Sequence, residues 1–429
     1  MLKRWLPAPS WLRHYRQSDL LGDLSAGGTV AIMLIPQGMA YAMLAGLPPV
    51  VGLYASTIPL IIYALFGTSR QLAVGPVAVV SLLVFAGVSP LATPGTDEYM
   101  SLVLLLMLMI GVIQLLLGLL KLGFLVKFLS HAFMSAFTSA AAMIIGLSQL
   151  KHLLGVEISS SHVLLIIKES VEQIAKIHPL TLGIGLLSMM LLIFIKKYAK
   201  RLPGPLVVVV MSIVTVYTLQ LSEKGVSIVG TIPSGLPTLS LPTFTLDAIF
   251  SLLPIALMIS FIGFMESIAM AQVIAKKENY SISPNRELIG LGLANAVGSF
   301  FSAYPVTGGF SRSAVNYEAG AKTPLASIIT ANLMMVTLLL FTGLFYYLPH
   351  AVLAAIIMVA VYKLIDLKIV YELFHTSRAE GWTWIITFSA TLFIGIEQGI
   401  LIGLILSILI TVIKTIYANK EDKAIKHGA

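Results

Sequence analysis

Cysteine is absent from the 429 residues, so the chain can hold no disulfide, no thiol nucleophile and no cysteine-based metal centre. Charge is scarce too. Asp, Glu, Lys and Arg make up 11 % of the residues against 58 % apolar, a balance that no water-facing domain of this length carries. The eight histidines sit at span ends and tails without ligand spacing, which argues against a metal site; His131 alone stands near a span interior, where it reads as a hydrogen-bonded packing residue. No catalytic triad, phosphate loop or dinucleotide-binding turn is present, because the glycine clusters fall inside apolar runs and lack the lysine a phosphate loop needs. The chain therefore reads as no enzyme, with no cofactor. A cleavable leader is missing as well: the first seventeen residues place Lys3, Arg4, Arg13 and Arg16 around Trp5 and Trp11 without an apolar core. Residues 1–20 read instead as an amphipathic cytosolic segment on the inner membrane surface.

What the chain does have is long apolar runs. Hydropathy and helix breakers divide it into about fourteen spans, at 22–43, 47–66, 70–88, 98–119, 128–149, 179–196, 203–221, 247–275, 286–302, 303–319, 324–346, 350–365, 382–396 and 398–417. The fold class expected is an all-α polytopic membrane protein. With both termini cytoplasmic, about 22 of the 27 Lys and Arg residues face inward, Lys151, Lys168, Lys176 and Lys224 face outward, and Arg312 lies within the membrane. The net charge of +8 thus marks orientation in a cell membrane and gives no support to a nucleic-acid partner. Residues 163–177, in the longest outer loop, repeat apolar residues at helical spacing and read as a surface helix.

Two of the fourteen segments cannot be continuous helices. In residues 303–319, AYPVTGGFSRSAVNYEA, Pro305, Gly308 and Gly309 force an extended lead-in before a half-helix that opens near Phe310. A helix N-terminus inside the membrane, with Ser311 and Ser313 as hydroxyl donors and Arg312 as a cation, is a receptor for a small anion. The competing reading is a kinked span whose Arg312 snorkels to the surface.

A weak internal repeat relates the first seven spans to the last seven at an offset of about 230 to 240 residues; IPQGMAYAM at 35–43, for example, matches GFMESIAMA at 263–271. Seven is odd, so the second half enters the membrane inverted. The third span is then the partner of the tenth. There Gly75 and Pro76 again separate a short strand from a half-helix, so Ala73, Val74, Gly75, Pro76 and Val77 should meet Phe310, Ser311 and Arg312 near the midplane.

Glu266 stands in the middle of the eighth span, where an ionised and unpaired carboxylate costs several kcal/mol. It is either a proton-coupling, charge-compensating group or half of a structural pair with Arg312. Met270, one turn on, offers sodium no further oxygen ligand, so protons or no coupling ion fit better. In the first span Pro36 interrupts the helix; Gln37 can donate to an oxyanion and Tyr41 can wall the pocket. Ser81, Ser130, Ser135 and Thr138 read as interhelical glue.

Residues 23–56 (DLSAGGTVAIMLIPQGMAYAMLAGLPPVVGLYAS), 66–83 (FGTSRQLAVGPVAVVSLL), 263–271 and 285–326 (NRELIGLGLANAVGSFFSAYPVTGGFSRSAVNYEAGAKTPLA) resemble the SulP anion transporter family, which includes sulfate permeases. The resemblance covers nearly the whole chain. It implies fourteen spans in a seven-plus-seven inverted repeat, shared with uracil permeases, with repeats at 21–222 and 245–418 and a cytosolic tail at 419–429. Spans 1–4 and 8–11 would form a core that moves against a gate of spans 5–7 and 12–14. It also implies a site between the third and tenth spans lined by Gln37, Tyr41, Ala73 to Val77, Glu266 and Phe310 to Arg312, and a homodimeric assembly. Members of the family usually continue into a cytosolic STAS domain, which is absent here; the chain is either a core-only member or truncated. The function expected is secondary transport of a small anion, sulfate first, in symport with protons. Bicarbonate, chloride or a dicarboxylate such as fumarate are alternatives on the same fold, and an anion channel or a non-transporting sensor are alternatives in kind. A nucleobase permease would need polar side chains to pair with a ring edge, where this chain offers a guanidinium and hydroxyls.

Overall fold

Proline and glycine positions decide where this apolar chain can be helical. The computed structural model describes residues 11, 15–124, 130–158, 160, 162–199, 202–396 and 398–410. In chain order its main elements are α1 (Leu20–Leu44), α2 (Pro49–Tyr54), α3 (Ile58–Phe66), β1 (Val74–Gly75), α4 (Ala78–Val88) and α5 (Asp97–Leu119), then α6 (His131–Ser148), α7 (Leu150–Leu154) and α8 (Val163–Glu172). The order continues with α9 (Pro179–Tyr198), α10 (Gly204–Thr218), α11 (Leu246–Lys277), α12 (Pro284–Gly298), β2 (Thr307–Gly308), α13 (Phe310–Glu318) and α14 (Leu325–Leu340). It closes with α15 (His350–Val361), α16 (Lys368–Thr376), α17 (Arg378–Phe393) and α18 (Gln398–Ile410). Among the described residues, six helical stretches are long and apolar enough to cross a membrane. The amphipathic character expected of residues 1–20 and the tail at 419–429 fall mostly or wholly outside the described residues.

Local chemistry explains many of the boundaries. Proline occupies the first turn of α2, α3, α9 and α12, where its missing N–H costs nothing. Thr96 and Thr245 cap α5 and α11 by accepting the N–H of Tyr99 and of Ala248. Two expectations are corrected. Pro36 does not interrupt the first span: α1 runs unbroken through it, since one lost backbone bond is a local defect in a helix packed on several sides. The span at 47–66 is in fact two helices, parted at residues 55–57, with Pro59 in the first turn of the second.

Contacts divide the chain into two units. The first comprises Met1–Gly123, Gln149–Glu157 and Ala175–Val359. Here α12 lies along α5 with glycines at the contact, α14 lies along α1, and α11 packs on α4, α5 and β2. Two enclosed carboxylates lock the ends of its helices. Glu287 accepts from Tyr63 Oη at 2.6 Å, from the N–H and hydroxyl of Thr68 at 2.5 Å each, and from the Ser69 N–H at 3.0 Å. Asp23 accepts from the N–H groups of Lys322 and Thr323 and from the Thr323 hydroxyl. The connection from α10 to α11 is tied down by backbone bonds from Val229 to Leu348, Gly230 to Tyr346, Gly235 to Leu338 and Ser240 to Phe300. On α9 and α10 the large apolar side chains point outward, as Leu187, Phe194, Val210 and Val214 do, which suits lipid as solvent.

The second unit comprises Phe124–Ser148, Ile158–Ile174 and Ala360–Ala429. There α6 packs against α17 through Ala132, Ala136 and Trp384, and Trp384 Nε1 donates to Ser135 Oγ at 3.2 Å. The Ser130 N–H donates to Ser407 Oγ at 2.6 Å. The surface helix expected at 163–177 is formed as α8 with a short 3-10 turn after it. His131, expected to be a packed interior residue, is instead exposed at the first turn of α6. The amphipathic α16 falls in what reads from sequence as a loop.

Candidate functional site

The two interrupted segments meet, both within the first unit. β1 and β2 pair antiparallel, with Val74 opposite Gly308 and Gly75 opposite Thr307. Because the strands run oppositely, α4 and α13 leave the crossing in opposite directions. With 11 and 9 residues they are about 16 and 14 Å long, each about half the hydrocarbon thickness. Neither N-terminus has a side-chain cap, so the first-turn amides of Ala78 and Val79 and of Phe310 and Ser311 lack an intrahelical acceptor. The half-helix of the tenth segment opens at Phe310, where the sequence places it.

The lead-in to β1 is stitched to α13 by side chains on one helical face. Arg312 donates through Nε to Ala73 O at 3.2 Å and through Nη1 to Pro76 O at 2.9 Å. Ser313 Oγ accepts from the Ala73 N–H at 2.9 Å, and Asn316 Nδ2 donates to Gln71 O at 2.9 Å. The Gly309 N–H also bonds to Ala73 O. Arg312 is 3 % exposed, and among the described residues its Nη2 has no hydrogen-bond partner, which leaves a buried donor unsatisfied. Gly75 makes room for it: φ is +151°, and a Cβ there would stand 3.2 Å from Nη2.

The β2 side is held from two neighbouring helices. Asn295 of α12 accepts the Val306 N–H at 2.9 Å and donates to Val306 O at 3.1 Å, while its amide also reaches Gln114 Oε1. Ser267 of α11 accepts the Gly308 N–H. Tyr304 is fully buried, with its hydroxyl 3.1 Å from Ser81 Oγ, which fits the reading of Ser81 as glue.

Each residue expected at the site can now be placed. Ala73, Val74, Gly75, Pro76 and Arg312 are buried in the crossing, Val77 is half-buried at the start of α4, and Phe310 and Ser311 are exposed at the start of α13. Tyr41 is buried within electrostatic range of Arg312, and Gln37 is half-buried and makes no side-chain hydrogen bond among the described residues. Glu266 is buried, and among the described residues its carboxyl has neither an ion-pair nor a hydrogen-bond partner. The structural Glu266–Arg312 pair is therefore not formed, because Arg312 spends its bonds on backbone carbonyls. Ser313, expected as a donor to an anion, is fully buried and holds Ala73 instead. Snorkelling of Arg312 is excluded by the same burial. Asn295, Asn316, Ser267 and Thr307 escaped sequence reasoning; their only signal is polarity within apolar spans.

Two broken spans whose half-helices start beside a buried cation are the pattern expected of a transport site in a membrane protein. The chain belongs to the sulfate permease family, whose description matches residues 20–387. It is 42 % identical over 407 residues to "Sulfate transporter 4.1, chloroplastic" of Arabidopsis thaliana, covering 92 % of this chain and 59 % of that protein. Its structure matches that of murine Solute Carrier 26 family member A9, an anion transporter in the inward-facing state, with a TM-score of 0.89 and 29 % identity over 96 % of this chain and 72 % of that one. It also matches the transmembrane domain of a cyanobacterium bicarbonate transporter, BicA, with a TM-score of 0.78 and 25 % identity over 92 % of this chain and 98 % of that one. The chain spans 59–60 % of the length of its first curated relatives. The family and these relatives are transporters, not enzymes.

Proposed function

We propose that the chain is a secondary active transporter of small anions, with sulfate as the leading substrate, working by elevator-like alternating access. The observation that carries this reading is the β1–β2 pairing, which sets two uncapped helix N-termini around the unpartnered Nη2 of Arg312. Each helix end contributes about 0.3–2 kcal/mol toward an anion, enough with the two N–H groups of Nη2 to hold a substrate and still release it. In this reading Gln37, Tyr41, Ala73 to Val77 and Phe310 to Arg312 surround the anion, and Glu266, left without a counter-charge, takes up the coupling proton. Fourteen spans in two inverted repeats, core and gate sets as the sequence divides them, cytoplasmic termini, a cell-membrane location and a homodimer complete the proposal.

Sulfate is put first because the Arabidopsis relative is named a sulfate transporter, and bicarbonate is kept beside it because BicA is described as a bicarbonate transporter. Purified protein in proteoliposomes, offered radiolabelled sulfate, bicarbonate and fumarate with and without a proton gradient, tests the proposal. Saturable, gradient-dependent uptake of one of them supports it. Conduction that does not saturate replaces it with a channel, and no flux of any anion overturns it.

A further inference from the structure

Thr307 and Ser267 form a hydroxyl pair that the proposed anion site does not itself use. Thr307, in β2, is 1 % exposed and Ser267, in α11, is fully buried. Their oxygens are 2.7 Å apart. Both also reach the carbonyl of Gly263, Thr307 at 2.5 Å and Ser267 at 2.8 Å, and the Gly308 N–H donates to Ser267 Oγ at 2.8 Å. Two hydroxyl protons serve two bonds: one hydroxyl donates to the carbonyl and the other donates to its partner hydroxyl. The roles can exchange with every group still satisfied. Gly263 admits the arrangement, since a Cβ there would lie 3.1 Å from Thr307 Oγ1.

The position of this pair is what gives it a role. Ser267 follows Glu266 directly, and Thr307 is the register partner of Gly75. One turn of α11, carrying the buried carboxyl, is thereby bonded to the strand pair from which both helix ends spring. We infer that Thr307 and Ser267 are positioning residues of the transport site: they hold the Glu266 turn in register with the β1–β2 crossing and so fix the geometry in which an anion is bound. This rests on the transport reading above. Replacing the Thr307 hydroxyl by a methyl strands no group, since Ser267 Oγ still donates to Gly263 O and accepts the Gly308 N–H, but it removes the strand's own bonds to Gly263 O and Ser267 Oγ, and the register loosens.

The test is uptake of radiolabelled sulfate by proteoliposomes containing the full chain, comparing Thr307→Val, Thr307→Ser and Ser267→Ala, with Arg312→Ala as reference. Thr307→Val is expected to raise KM about tenfold with the maximal rate within about twofold, and Thr307→Ser to restore the parent KM. A parent-like KM in Thr307→Val, or a lower maximal rate at unchanged KM, overturns the inference. Should Thr307→Val fail to yield folded protein by size exclusion, Ser267→Ala decides: a raised KM supports the inference and a parent-like KM overturns it. If the parent takes up no sulfate, or Arg312→Ala keeps the parent KM, the site reading itself fails; weakened affinity in Arg312→Ala alone sinks only the hydroxyl pair.

Discussion

The two interrupted segments solve one problem in different ways. Extended backbone at membrane depth exposes amides that lipid cannot satisfy, so each lead-in needs partners from within the protein. The β2 lead-in finds them on two other helices, through Asn295 of α12 and Ser267 of α11. The β1 lead-in, once past Ser69 and Arg70, whose N–H groups go to Glu287 and Tyr280, finds them on the helix that β2 itself starts, through Arg312, Ser313 and Asn316 of α13. The tenth segment is thus the frame, and the third is hung from it. Arg312 consequently has two tasks, holding the β1 carbonyls with Nε and Nη1 and presenting Nη2 to a ligand.

The largest effect should come from the residue that joins the two segments. Arg312→Ala removes both carbonyl bonds and the cation, and is expected to weaken apparent anion affinity by at least about 30-fold, the scale for truncating a buried hydrogen-bonded charge. Arg312→Lys should restore little of this, since one ammonium cannot span Ala73 O and Pro76 O as the planar fork does. Binding assays on the purified variants read both; unchanged affinity in the alanine variant would remove Arg312 from the site.

Next come the pins, where the comparison is sharpest. Asn295→Leu strands the N–H and the C=O of Val306 and should cost about 2–4 kcal/mol, seen as a clear drop in thermal melting temperature. Asn316→Leu strands only the carbonyl of Gln71 and should cost about 1–2 kcal/mol. Equal losses in the two variants would abolish the distinction between frame and hung segment.

Smaller still is Gly75→Ala. It puts a methyl 3.2 Å from Arg312 Nη2 at a backbone angle that side chains avoid, and a rise in KM of about tenfold in sulfate uptake is expected. The least change in binding is expected for Glu266→Gln, which keeps the shape of a buried and unpaired group. It should flatten the pH dependence of uptake while leaving KM within about threefold. A pH profile like the parent's would make Glu266 structural.

Local signals carried well from sequence to structure. Gly75 with Pro76, and Pro305 with Gly308 and Gly309, fix the two breaks because no helix tolerates those residues in series, and the start of α13 at Phe310 follows from them. Pro36 misleads because a lone proline costs one bond that packing offsets, so α1 continues. Partners are the part that stayed hidden. Arg312 and Glu266 are the obvious opposite charges in the membrane, yet Arg312 takes carbonyls 236 and 239 residues away in sequence. Asp23 and Glu287 stand at the second residue of their expected spans with nothing beside them in sequence to mark a role, and only the fold reveals that hydroxyls and amides from distant turns enclose them. Polarity within a span announces that a partner exists without saying which one.

Anomalous diffraction from crystals grown with selenate, a heavy analogue of sulfate, locates the bound anion itself. A selenium peak is expected within hydrogen-bonding reach of the Phe310 and Ser311 amides and of the Ala78 and Val79 amides, with Arg312 Nη2 beside it. A peak away from the β1–β2 crossing, or one against a single helix end with Arg312 turned from it, would contradict the account.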